Sequence, residues 1–453
     1  MLHPHTCWRM PLLTPDSNPE PLMPDATRRS FLTATGLSLA ASALPTSRAF
    51  GANERFRVGV IGTGGQGQSH VKAWGSHDDV DLVYVCDLDA ERVAKAAGFV
   101  DGAQPVDDLR RVLDDDSIDL VSIATPDHWH TPAALLALDA VQHVYVETPC
   151  SHNFREGQLL VAAQQRTGRL VQHGTQTRSG LGAQQAVQML REGVIGEVLV
   201  ARAWNVQFRP GIGKEQPSDP PAGFDYDTWV GPAPFLPFQS NRFHYTWHWW
   251  FNFGTGDAGN DGVHEIDIAR WGLGVDSQPS LVTSVGGKYF HDDDQEFPDT
   301  MTATFEYPGS GGPGQRKQLI FEMRLWSTNY PEGVDSGVEF LGTKGRMFVS
   351  KRGKFTLLAG RNQKSDVQLD HPVPGSVASH QRNLLDAIRG QAELNADART
   401  GHLSASIPHL GNAAVRLGRS IELDPHTEQS ADPEAQALLQ RTYRDHWAAP
   451  AAS

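Results

Sequence analysis

Phe56-Arg57-Val58-Gly59-Val60-Ile61-Gly62-Thr63-Gly64-Gly65-Gln66-Gly67 is the stretch that decides the fold. Its first six residues form a short apolar run of strand type. The next six match G-x-G-x-x-G, and Ser69 to Trp74 can then open a helix. Glycines at these places let the backbone approach a pyrophosphate at a helix N-terminus. A chain with 44 glycines produces the motif by chance, so its context carries the weight. That context is a second strand, Val80 to Cys86, ending in Asp87, 20 residues past Gly67. A carboxylate there bonds both ribose hydroxyls and repels a 2′-phosphate. The unit therefore predicts NAD in preference to NADP, held by Gly62, Gly64, Gly65, Gln66, Gly67 and Asp87.

The alternation continues outward from this unit. Ile118 to Ala124 reads as a strand, Pro132 to Asp139 as a helix, His143 to Glu147 as a strand, Gly157 to Gln165 as a helix, and Leu170 to His173 as a strand. Near-continuous apolar strands in repeated βα units predict a parallel sheet covered on both faces. Ligands sit beyond the carboxyl ends of such strands. Those ends carry Thr125, Pro126 and His130, then Glu147 and Thr148, then Gln176 and Arg178. All are expected to crowd the nicotinamide end of the cofactor, with Arg178 also reaching the substrate.

From Gly196 the pattern changes. Glu197–Trp204, Leu281–Val285, Thr300–Glu306, Gln318–Met323, Gly337–Leu341 and Gly345–Ser350 read as strands of a large, mainly antiparallel sheet. Pro- and Gly-rich loops such as Pro210–Gly223 and Gly309–Gly314 interrupt them, and Asp261–Trp271 and Ser379–Arg389 read as helices. The fold class is thus an α/β Rossmann domain followed by an α+β domain. The expected boundaries are 1–49 for a leader, 50–177 for the NAD-binding domain, 178–430 for the substrate domain and 431–453 for a C-terminal tail, with late segments free to pack back on the first domain.

A net charge of −14 leaves no basic footprint for nucleic acid or anionic lipid. Three cysteines, none in a CxxC pair, make neither a disulfide framework nor a structural zinc site. Cys86 and Cys150 lie at predicted strand ends and are expected as buried free thiols. At the N-terminus, Thr27-Arg28-Arg29-Ser30-Phe31-Leu32 precedes an uncharged run from Thr33 to Thr46, and Ser47-Arg48-Ala49 offers a small-residue cleavage site. This is the pattern of a twin-arginine signal, which predicts a periplasmic protein. Met23 would give that signal a compact start. The route carries folded proteins, which points to a tightly held cofactor.

Taken together, the glycine motif, Ala124-Thr125-Pro126, Glu147-Thr148-Pro149 and Gly262-Val263-His264-Glu265-Ile266-Asp267 resemble the Gfo/Idh/MocA family of oxidoreductases, over residues 55 to 420. Pro126-Asp127-His128-Trp129-His130 and Pro149-Cys150-Ser151-His152-Asn153 are similar to an exported branch of it. The resemblance implies a sugar substrate, bound NAD and a homo-oligomer built through the C-terminal sheet. It also exposes two departures. The family's Glu-Lys-Pro lysine is Thr148 here, and the aspartate four residues before the active-site histidine is Asn260. Of the family's proton relay, His264 is the titratable member carried over.

His264 is accordingly the expected base, its ordinary pKa near 6.5 suiting proton transfer at neutral pH. Asn260 would orient it or the substrate. Asn241-Arg242-Phe243-His244-Tyr245-Thr246-Trp247-His248-Trp249-Trp250-Phe251 offers aromatic faces for sugar C–H surfaces. Most such rings are core. His244 and Trp247 are the expected substrate contacts, and Tyr245 (or His244) the reserve acid/base group. His128 and His130 would share a face of a strand, but nothing completes a ligand set, so no metal is expected. Asp292-Asp293-Asp294 reads as a solvated turn.

Three functions remain open: hydride transfer at a secondary hydroxyl of a sugar, an NAD-dependent glycosidase using the same redox step, and a non-catalytic dinucleotide or sugar-binding module. Replacing Arg28 and Arg29 together by Lys should abolish export while leaving the folded protein intact. Unchanged secretion of the double variant, or residues 1–49 intact on exported protein, would overturn the leader.

Overall fold

A computed structural model describes residues 55–309 and 315–450. The expected leader, with Arg28, Arg29 and Cys7, lies outside the described residues, as does most of the Gly309–Gly314 loop. The first half runs β1 (Phe56–Ile61), α1 (Gly65–Trp74), β2 (Val80–Cys86), α2 (Ala90–Ala97), β3 (Gln104–Val106), α3 (Arg110–Leu113), β4 (Leu120–Ile123), α4 (Asp127–Asp139), β5 (His143–Val146), α5 (Phe154–Thr167) and β6 (Val171–His173). Its six strands are all parallel, in the order β3-β2-β1-β4-β5-β6. This is the Rossmann order expected from the alternation. The strand order reverses between β1 and β4, so a crevice opens beyond their carboxyl ends.

The ladder runs one bond past the strands. Gly62 N bonds Cys86 O, Ala124 N bonds Ile61 O, Glu147 N bonds Ile123 O and Gly174 N bonds Val146 O, at 2.8–3.0 Å. Four loop-opening residues are thereby aligned along one edge of the sheet. Val58, Val60, Leu120, Ile123, Val144 and Val146 are fully buried beneath them. Each such side chain contributes about 1.5–3 kcal/mol, so the edge is rigidly backed.

The second half runs α6 (Leu181–Arg191), β7 (Val198–Val206), α7 (Tyr226–Val230), α8 (Gly256–Asn260), α9 (Gly262–Leu273), β8 (Leu281–Gly287), β9 (Thr300–Tyr307), β10 (Lys317–Arg324), β11 (Ser336–Gly342), β12 (Gly345–Val349), β13 (Phe355–Ala359) and β14 (Gln363–Lys364). It ends with α10 (Val377–Ile388), α11 (Ala398–Leu417), β15 (Ile421–Glu422) and α12 (Pro433–Leu438). Nine strands form one sheet, β14-β13-β12-β11-β7-β10-β9-β8-β15, with β7–β10 its parallel pair and the other neighbours antiparallel. One face packs on α9 and α11 through Ala203, Phe305, Phe321 and Phe340. The alternate residues make an open face carrying the Arg202–Glu322 and Arg346–Glu339 ion pairs.

Several details differ from the sequence reading, which did not place β3, β13, β14 or β15. Helix α4 starts five residues before Pro132, so His128 and His130 are on a helix rather than a strand. Helix α11, 20 residues long with Pro408 inside it, gave no helical signal because it is buried nearly all round and lacks a polar face. Asp293 and Asp294 are no solvated turn: Asp293 accepts from Ile212 N at 2.7 Å, and Asp294 accepts from Glu215 N at 2.8 Å and Asn241 at 3.0 Å. They pin the long Pro210–Gly223 loop.

The late helices return to the first half. Leu384 and Leu385 of α10 join the core of β1 and α1, and Asp79 accepts from both Arg382 and Arg389. Burial would raise the Asp79 pKa, yet these two guanidinium groups pull it down to about 2. The stabilisation is therefore full above about pH 4 and is lost as the pH falls toward 2. Asp79→Asn should cost about 1–3 kcal/mol in urea unfolding at pH 7 and very little at pH 2. An equal cost at both pH values would contradict the clamp.

Candidate active site

The crevice at the switch point is a cleft of about 890 Å³. At one end, Gly62 has φ +86°, and a Cβ there would strike Ala124 O at 2.5 Å. A Cβ on Gly67 would lie 1.9 Å from Gly62 O, so the loop closes directly on its own helix. A Cβ on Gly65, by contrast, meets nothing within 4 Å. Open room therefore stands above the first turn of α1, where backbone N–H groups favour a phosphate. Thr125 Oγ1 is buried and partnerless beside it. Asp87 accepts from Thr63 N at 2.7 Å and Thr63 Oγ1 at 3.0 Å through one oxygen, and from Asp89 N at 3.0 Å through the other. Fixed this way, its carboxylate borders the cleft at the ribose position. The residues fit a dinucleotide.

Midway along the cleft lies Glu147. It accepts from His70 Nε2 at 2.8 Å, Gln66 at 2.9 Å, Gln176 at 3.0 Å and Thr148 N at 2.9 Å. Because a carboxylate only accepts, the His70 Nε2–H donates to it, and Nδ1 of the same ring lies 2.9 Å from the Ser122 hydroxyl. Burial works to raise the Glu147 pKa, but these donors, His70 foremost, bring it down to about 2. Glu147, Gln66 and Gln176, expected as separate cofactor ligands, thus act as one network. His130 bridges Pro149 O at 2.7 Å and Thr125 O at 2.8 Å, clamping two strand-end loops together. Thr148 follows, before a cis Pro149.

At the far end, His264 Nε2 stands 3.5 Å from Thr148 Oγ1. Gly262 lets α9 lie down on the sheet, since a Cβ there would meet Phe321 at 2.5 Å, and this sets the histidine's height. Burial and the Lys351 ammonium hold the His264 pKa below its ordinary value, so the ring is neutral at pH 7. Beside it are two residues the sequence reading missed. Asp261 borders the cleft and accepts from Gln207 at 2.6 Å, while Lys351, just past β12, donates to Asp261 and lies 3.3 Å from Glu265. Of the family's relay positions His264 alone is titratable, and Asp261 and Lys351 are further titratable groups beside it that the sequence reading did not single out. Asn260 donates to Asp257 at 2.9 Å and lines the same cleft as His264.

The aromatic stretch is mostly core. Trp247 and Trp250 pack with Trp229 and Phe253, and Trp247 donates to His244 O at 2.9 Å while its ring lines the cleft. Tyr245 reaches the cleft, 54% exposed, with its hydroxyl 3.3 Å from Arg209. Burial raises its pKa, so it is a phenol that can donate and a poor base. His244, expected at the sugar, pairs with Asp89 at 3.2 Å near the ribose end. Arg178 is also displaced from its expected role. It is buried, bonded to both Asp267 oxygens at 2.8 and 3.0 Å, and absent from the cleft lining.

His128 bonds the Trp229 carbonyl at 2.9 Å. No cluster of three metal-ligating residues occurs among the described residues. Cys86 and Cys150 are buried and free. The C-terminal segment is tied down by Tyr443 to Glu156 at 2.7 Å and Arg444 to Asp227 O at 2.7 Å. It presents Trp447 to the cleft beside Trp129, ring centroids 6.0 Å apart.

Comparison with known proteins agrees with this geometry. The oxidoreductase family NAD-binding Rossmann-fold profile of Gfo/Idh/MocA matches residues 56–175, and the family's C-terminal alpha/beta domain matches 193–308 and 338–449. A glycosyl hydrolase family 109 protein of Shewanella pealeana is 29% identical over 208 residues, covering 39% of this chain and 45% of the relative. One from Saccharopolyspora erythraea is 35% identical over 163 residues, covering 33% of this chain and 35% of the relative. The matched segment thus spans less than half the length of these curated relatives. The WlbA dehydrogenase of Chromobacterium violaceum, solved with NADH and UDP-GlcNAcA, superposes with a TM-score of 0.66 at 19% identity, over 82% of this chain and 97% of that one. Levoglucosan dehydrogenase with NADH gives 0.62 at 18%, over 82% and 99%. At such identities the likeness establishes the fold.

Denaturing the purified protein should release NAD or NADH, and Asp87→Ala should narrow the preference over NADP by about tenfold, or about 1.4 kcal/mol. Released NADP as the main nucleotide would overturn the role of Asp87.

Proposed function

The chain belongs to the Gfo/Idh/MocA family of NAD-binding oxidoreductases, and from that premise we propose that it oxidises or reduces a secondary hydroxyl of a sugar or glycoside. The observation that carries this reading is the single cleft joining the glycine loop and Asp87 to Thr148, His264, Asp261 and Lys351. NAD, when bound, supplies the hydride acceptor. The chain's own residues then have three tasks. The glycine loop, Asp87 and Thr125 hold the dinucleotide. The Glu147 network and the His130 bridge fix the turn on which Thr148 sits. Neutral His264 takes the hydroxyl proton, its lowered pKa keeping it competent below pH 6.5.

A redox-assisted glycosidase is the second reading, favoured by the glycosyl hydrolase family 109 relatives and by the loss of lysine at position 148. Oxidation of a ring hydroxyl acidifies the neighbouring C–H. A base, for which His244 at the cleft is the candidate, takes that proton as the aglycone leaves. Water adds to the new double bond, and the hydride taken in the first step restores the hydroxyl. Tyr245, held protonated, suits the donation of a proton to the departing oxygen. Export along the twin-arginine route and self-association through the nine-stranded sheet belong to the same proposal. The first is supported by Arg28-Arg29 and the uncharged run after them, the second by exposed Val285 and Leu341 on the open face.

A glycoside panel tests the proposal. Net NADH formation supports the dehydrogenase, aglycone release without net NADH supports the glycosidase, and neither leaves only a binding module. On whichever activity appears, His264→Ala should lose about 10²–10⁴-fold. Thr148→Ala should lose about tenfold or less, because its hydroxyl touches the histidine only at 3.5 Å. Full activity in His264→Ala would rule it out as the base.

A further inference from the structure

Position 148 brings no positive charge to the reacting end of the cleft, yet a cation is there. Lys351 reaches it from the C-terminal sheet, in the turn after β12, with 18% of its side chain open. Lysines are seldom buried without partners. One carboxylate would neutralise this one, and the fold provides two: Asp261, which opens α9, and Glu265, one turn further on. The two differ. Asp261 stays ionised, because the Lys351 charge and bond and the Gln207 bond outweigh its burial. Glu265 is fully buried, and burial pushes its pKa up to about 7. A fixed ion pair and a proton-accepting carboxyl therefore flank one ammonium beside His264.

We infer that Lys351 supplies from the C-terminal domain the cation that Thr148 leaves out, its ammonium polarising the substrate hydroxyl whose proton His264 takes. The inference rests on the hydride-transfer reading above. In the step, the substrate O–H bond breaks and its proton passes to the His264 ring. The oxygen electron pair forms the C=O bond as the carbinol carbon, oxidised, gives up its hydride to oxidised NAD. Lys351 keeps its proton throughout and offers a hydrogen bond to the oxygen as charge develops there. Such a donor acts far more strongly in a cleft than in water. Asp261 and Glu265, which steer the ammonium, are positioning residues.

The charged and titratable groups bearing on His264 come from several walls of the cleft: Lys351 just past β12, Asp261 and Asp267 at the start of α9 and within it, Glu147 just past β5, and His173 at the end of β6. Arg352, beside Lys351, and Arg209, past β7, also line the cleft. Arg352 is bonded to Asp335 and Arg209 to Asp257, at 3.1 Å, and Glu147 and Asp267 are saturated by their own donors. Lys351 is thus the cation whose removal His264 should feel most.

The test compares wild type with Lys351→Met, Lys351→Arg and the double variant Lys351→Met/Thr148→Lys, with folding checked by thermal melting. Histidine titration by NMR needs no substrate: His264 should titrate at higher pH in Lys351→Met than in wild type and shift back in Lys351→Arg. Turnover of Lys351→Met should fall about 10²–10³-fold, the acidic limb of its pH profile should move upward, and Thr148→Lys should restore activity to within about tenfold of wild type. An unmoved His264 midpoint, wild-type turnover in folded Lys351→Met, or no rescue by Thr148→Lys would overturn the inference. Should Lys351→Met fail to fold, Lys351→Gln takes its place with the same expected upward shift of His264 and loss of turnover. An unmoved His264 midpoint or wild-type turnover in it would overturn the inference, since a purely structural pair would change melting and leave both readouts in place. A wild-type protein inactive on every glycoside would sink the hydride-transfer reading instead, while the titration still judges the contact with Lys351.

Discussion

One buried carboxylate holds the site together. Glu147 collects His70 and Gln66 from α1, the Thr148 amide from its own turn and Gln176 from the loop after β6. Unpaired, a carboxylate in that place would be expelled or protonated. With four donors it stays ionised and fixes three segments against each other. The glycine loop, the Thr148–Pro149 turn and the end of β6 then form one surface, against which a nicotinamide ring can be held. His130 repeats the device on a smaller scale, tying Thr125 to Pro149.

The opposite wall comes from a different kind of constraint. Helix α9 must lie close to the nine-stranded sheet, and small residues at Gly262 and Gly272 permit it, their missing side chains leaving space for Phe321 and Phe340. That approach sets His264 opposite Thr148. The same sheet, through β12, carries Lys351 to Asp261 and Glu265. The acid/base end of the cleft is therefore built jointly by both halves of the chain, while the dinucleotide end is built almost wholly by the first. Chemistry at this end depends on domain packing as much as on any single side chain.

The late helices make that packing secure. Helix α10 returns to α1 through Leu384, Leu385 and the Asp79 clamp. Helix α11 lies between α5, β6 and the large sheet, with Ser404 bonding Asp267 at 2.7 Å and Asn412 bonding Thr255 O at 2.8 Å. Beyond them, the C-terminal segment closes over α5 and brings Trp447 to the cleft rim. A second half whose last helices end on the first limits how far the two can separate.

Much of this was legible in the residue order. Period-two and glycine patterns are local, so β1, the phosphate loop, Asp87 and the parallel alternation could be read directly. Six of the nine strands of the second sheet were placed to within a few residues, the short β13, β14 and β15 being missed. His264 and the Thr148 substitution were visible because their motifs are contiguous. What the order could not show was which distant polar groups meet. Arg178 finds Asp267, His244 finds Asp89, and Lys351 finds Asp261 across intervals of about 90, 155 and 90 residues. Helix α11 left no signal either, because burial on every side removes the polar stripe that marks a helix. Sequence alone determined the backbone scaffold and its anion-binding loop, since those follow from local sterics and periodicity. Only the tertiary structure decided the charges around the reacting end, because a buried charge is settled by whichever partner folding brings within reach.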